Sequence, residues 1–73
     1  MKKDFRRIAS HEILLEDGSR MKQSVVEIQS GVVTRWYPLT EELPQTEWFS
    51  QSVSLSRDAE GLLRARINNK VIN

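Results

Sequence analysis

Strict alternation is the clearest pattern along the chain. In Gln51-Ser52-Val53-Ser54-Leu55-Ser56, Val53 and Leu55 fall on one face and three serines on the other, the period of a half-buried strand. Leu63, Ala65 and Ile67 alternate in the same way with Arg64 and Arg66. Val26 and Ile28 share a face within residues 23–29, and Val32-Val33-Thr34-Arg35-Trp36-Tyr37 is rich in β-branched and aromatic side chains. Period two fits each segment better than period 3.6, so four strands are predicted here.

Glycine-bearing turns separate these segments. The Asp-Gly pair in Glu16-Asp17-Gly18-Ser19 suits a type I′ hairpin, where both central residues need positive φ. Gln29-Ser30-Gly31-Val32 repeats the idea with Ser-Gly. Arg57-Asp58-Ala59-Glu60-Gly61 makes a longer turn, with Gly61 available for a left-handed position. Such spacing predicts successive antiparallel hairpins rather than strand–helix–strand units.

Two stretches are less regular. Phe5, Ile8 and Ala9 have helical spacing behind a possible Asp4 cap. The competing reading is an irregular strand over residues 5–16, paired across the Asp-Gly turn with residues 20–29. The strand is preferred, because the turn needs a partner on its N-terminal side. Residues 38–48 hold both prolines, which lack an amide hydrogen and do not belong in a central strand. Thr40 is placed to cap a single turn ending at Leu43, and the segment is expected to cross from one part of the sheet to another.

Composition narrows the function. A chain of 73 residues has room for one domain, residues 1–73, and one core. Such a domain buries about 60% of its unfolded surface and is marginally stable. With no cysteine, disulfides are excluded, and the lone His11 cannot supply a zinc set. Stability must then come from packing or from association with another copy. The formal charge of +1 lacks the basic bias of a dedicated nucleic-acid binder. The N-terminus, Met1-Lys2-Lys3-Asp4-Phe5-Arg6-Arg7, is charged but is followed by no apolar stretch of signal-peptide length. The longest apolar run, Ile13-Leu14-Leu15, is far too short to cross a membrane as a helix. A cytoplasmic protein without cofactor or membrane contact is expected.

Candidate chemistry is thin. His11 and Glu12 are neighbours and in a strand would point to opposite faces, so a surface histidine is the plainer reading. Glu41 and Glu42, with Glu47 nearby, lie in a polar, proline-bounded connection where water would keep them ionised, so no metal or acid–base site is assigned. Trp36, Tyr37, Trp48 and Phe49 form two adjacent pairs. In a strand each pair should send one ring to the core and leave one outside. An outer ring can anchor a protein interface, where Trp, Tyr and Arg are enriched. Beside Arg35, Arg64 or Arg66 it can equally resemble a stacking platform for single-stranded nucleic acid. Arg64 and Arg66 form the clearest basic stripe, although basic residues more commonly guard strand edges.

The run Val25-Val26-Glu27-Ile28-Gln29-Ser30-Gly31-Val32-Val33, followed by Tyr37-Pro38-Leu39 and Glu42, resembles short stand-alone bacterial β proteins of unknown function. More distantly it is similar to the small composite β-sandwich domain beside the barrel of metal-dependent amidohydrolases. The likeness spans Ile13 to Trp48. It implies a sandwich-like β fold and no catalytic positions, because those enzymes hold their metals on the barrel.

The expected fold is all-β: a small antiparallel meander of five to six strands, sandwich-like or a partly open barrel. Its core is predicted to contain Ile13, Leu15, Val26, Ile28, Val33, Trp36, Val53, Leu55, Leu63, Ala65 and Ile67. The expected function is a non-catalytic protein-interaction module, a homodimer or the partner of another protein. Its candidate contacts are Trp36, Tyr37, Trp48, Phe49, Arg64 and Arg66, with weak single-stranded nucleic-acid binding as the alternative.

Overall fold

Period-two patterning predicts strands, and the computed structural model, which describes residues 4–72, is built of them. β1 (Phe5–Leu14) and β2 (Arg20–Gln29) form the long hairpin expected across the Asp-Gly turn, and no helix forms behind Asp4. Next come β3 (Val32–Pro38), β4 (Thr46–Phe49), β5 (Val53–Arg57), β6 (Leu63–Ile67) and β7 (Lys70–Ile72). They make one sheet in the order β3-β2-β1-β5-β6-β7, with β4 paired to β1 beside this path. The all-β expectation holds, and the sheet is not closed.

It departs from a meander at its centre. The N-terminal half of β1 pairs in parallel with β4, and its C-terminal end pairs in parallel with β5. The sheet is therefore mixed, with seven strands among the described residues. The proline segment causes this. β3 and β4 lie on opposite sides of the β1–β2 hairpin, so the connection between them must cross a face of the sheet. The expected single turn behind Thr40 does not form there, and residues 39–43 run without helical structure. Pro38 ends β3, a strand with no described strand on its far side, where a missing amide costs no ladder bond.

Turn chemistry partly reverses expectation. Ser30 and Gly31 take φ 51° and 81°, the two positive values of a type I′ turn. In the Asp-Gly turn only Gly18 is left-handed. Its amide donates to the Leu15 carbonyl at 3.0 Å, and Leu15 N–H donates to Ser19 at 2.8 Å, so a wider loop replaces the two-residue one. Asp17 instead uses its carboxylate to accept the Ser19 amide and hydroxyl. Gly61 is left-handed as expected. The β6–β7 hairpin was not anticipated: Asn68 and Asn69 both adopt positive φ, which asparagine tolerates better than most residues.

The concave face holds the core. Ile8, Ile13, Val26, Ile28, Val33, Val53, Leu55, Leu63, Ala65 and Ile72 pack together, with Leu15, Phe49 and Ile67 partly buried against them. Ile8 and Ile13 are five residues apart and would face opposite ways in a regular strand. The facing slips at Ser10–Glu12 with no shift of register against β2, and there the buried Ser10 hydroxyl donates to the Gln51 carbonyl at 2.6 Å. Facing this stretch on β2, Gln23 takes φ 45°. A bulge at Thr34, opposite Glu27/Ile28, does the same for β3 and turns Val33 and Trp36 to one side. Trp36 nonetheless stays 37% exposed at the margin of the sheet, which corrects its place in the predicted core.

Candidate functional site

From Ser24 to Ile28, β2 is buried on both faces. Val26 and Ile28 face the core, while Val25 and Glu27 face outward and are covered there. Strand register explains what covers them. Tyr37, Val25, Ala9 and Trp48 form one row across β3, β2, β1 and β4, and Arg35, Glu27, Arg7 and Thr46 form the next.

In the first row the small, buried Ala9 separates Val25 from the ring of Trp48. The crossover passes over this part of the sheet, held by a 2.8 Å hydrogen bond from the Arg7 guanidinium to the Pro44 carbonyl. Ala9, Leu39, Leu43, Pro44, Thr46 and Trp48 line an open groove of about 580 Å³. Trp48 is 47% exposed, and its ring meets the His11 imidazole edge-to-face at 4.8 Å.

The second row is a charge cluster. Glu27, 6% exposed, accepts from Arg35 Nε at 2.7 Å, from Arg7 Nε at 3.2 Å and from the Tyr37 hydroxyl at 2.5 Å. The Arg35 bond, helped by Tyr37 and Arg7, outweighs burial and holds the Glu27 carboxyl down at about 2. Burial, and then the neighbouring carboxylate, push the Tyr37 phenol up. Arg35 also lies over the Tyr37 ring at 5.2 Å. A carboxylate so held stays ionised at neutral pH, with its lone pairs engaged. Its chemistry is structural: it ties β1, β2 and β3 together on their outer face.

No family model, no curated protein and no solved structure matches this chain.

The fold therefore has to sort the candidate residues unaided. Tyr37 and Trp48 share a face and a row. Trp36 and Phe49 point to the concave side and line separate grooves, Trp36 with Leu15, Leu55 and Leu63, Phe49 with Ile67, Val71 and Ile72. The pair rule holds for Trp48 and Phe49, one outside and one against the core. Arg64 and Arg66 stand on β6, which does not pair with β4. Arg64 donates to Asp58 at 2.9 Å and to the Gly31 carbonyl at 2.7 Å, drawing β6 toward the β2–β3 turn, and holds the Asp58 carboxyl below its usual range. Arg66 donates to the Ser56 hydroxyl.

The acidic residues do not converge. Glu41 and Glu42 are exposed in the crossover, and Glu47 is bound by Arg6 at 2.6 Å. Among the described residues no group of three His, Asp or Glu side chains is placed to hold a metal ion. Sequence reasoning missed the Glu27 cluster. The available signal was a carboxylate between Val26 and Ile28, facing an Arg-x-Tyr pair across a tight turn.

Proposed function

We propose that this protein is a non-catalytic protein-interaction module that associates with itself. One observation carries the reading: a half-exposed tryptophan, Trp48, stands on β4, which pairs with β1 on one side and with no other described strand. An aromatic ring beside unpaired strand backbone combines two means of protein recognition, an anchor side chain and sheet extension. Glu27, the one buried carboxylate among the described residues, is bonded to three side chains and has no acid–base work assigned.

Nucleic-acid binding through aromatic and arginine side chains has less support. Arg35 is bonded to Glu27, and Arg64 and Arg66 lie on a different part of the sheet from Trp48.

Sedimentation equilibrium over the micromolar range tests the reading. The expected result is a reversible dimer, weakened by Trp48→Ala and, less strongly, by Tyr37→Ala. Association unchanged in both variants would put the contact elsewhere, and a monomer at every concentration would end the self-association reading.

A further inference from the structure

Three strands, β3, β4 and β7, have an edge that no described strand covers. Two of them carry the features that discourage pairing. β3 has Arg35, the bulge at Thr34 and the closing Pro38, and the three-residue β7 begins with Lys70. β4 reads Thr46-Glu47-Trp48-Phe49, with no proline, lysine or bulge. Its one charge is already paired with Arg6. Open grooves flank it on both faces, one lined by Trp48 and the other by Phe49.

We infer that two copies join through β4 in antiparallel register, with Trp48 facing Trp48 of the second copy across a two-fold axis. The inference rests on the self-association reading above and specifies its geometry. A two-fold axis that makes two identical strands antiparallel stands perpendicular to the sheet. Each residue then keeps its face, so opposed residues must come from the same face of β4. Thr46 and Trp48 share the outer face; Glu47 and Phe49 share the inner one.

Only two registers that obey this rule overlap three of the four β4 residues. Centring on Glu47 opposes two carboxylates, an unfavourable cross-strand pair. Centring on Trp48 opposes the two indoles, puts Glu47 against Phe49 of the other copy and Thr46 against Ser50 of the other copy, and sets no like charges together. That register continues the row Tyr37–Val25–Ala9–Trp48 without a break into the second molecule. Such a short edge gives a small interface of the weak, reversible kind.

The native chain has no cysteine, so crosslinking can read the register directly. Trp48→Cys should form a covalent dimer with itself under mild oxidation. Because that variant loses its anchor, Thr46→Cys mixed with Ser50→Cys provides the second test with Trp48 intact. The mixture should crosslink at least several-fold faster than either variant alone. A wild-type dimer whose mixture crosslinks no faster overturns the β4 register and leaves self-association standing. A wild-type monomer overturns both.

Discussion

Tyr37 donates a 2.5 Å hydrogen bond to Glu27 from the neighbouring strand, and so links the edge strand β3 to the most buried strand of the sheet. The same carboxylate receives Arg35 and Arg7, which makes it a hub for three strands.

Stability should report this hub through its pH dependence. Glu27 titrates near 2 in the folded protein, below the ordinary value of 4.5. Its contribution is therefore complete above the unfolded-state value and is lost as pH falls from there toward 2. Glu27→Gln should lose about 1–3 kcal/mol at pH 7, a range lowered for screening at the exposed Arg35. Urea midpoints at pH 7, 4 and 2.5 should show the gap to wild type closing on acidification. A gap constant with pH would mean that the ionised form contributes nothing.

Ser10 joins two irregularities, the slip in β1 and the break between β4 and β5, through its bond to the Gln51 carbonyl. Ser10→Ala should cost about 1 kcal/mol in chemical denaturation. Amide hydrogen exchange should quicken in β4 and β5 more than in β2. Uniform acceleration throughout the sheet would assign the residue to general packing instead.

Ile13 is fully buried where β1 passes from β4 to β5. Ile13→Ala should cost about 2–5 kcal/mol from lost contact and the cavity left behind. A domain of this length has about 4–11 kcal/mol in total. The thermal midpoint, read from the loss of the β signature in circular dichroism, should fall by about 8 °C or more.

Gly18 sits at φ +89°, and a side chain placed there would meet nothing within 4 Å. Any cost of substitution is then conformational alone. Gly18→Ala should lose about 1–2 kcal/mol, and Gly18→Asn less, because asparagine enters the left-handed region more readily. Equal losses would point to a contact in place of backbone preference.

Local chemistry determined much of this protein. Alternating Val53/Leu55 and Leu63/Ala65/Ile67 must be strands, because only period two puts those side chains on one face. Gly18 and Gly31 had to mark turns, and Trp48 and Phe49 had to face opposite ways. Tertiary structure decided the rest. Parallel pairing of β4 and β5 with β1 depends on where a proline-bounded crossover lands, and no local propensity encodes that position. The slips at Ser10–Glu12 and Thr34 reassign faces in mid-strand, which is how Ile8 and Ile13 come to share a core and Trp36 comes to its margin. Burial of Val25 and Glu27 was hidden for the same reason. An outward position reads as solvent in the sequence until the fold lays another segment or three donors across it.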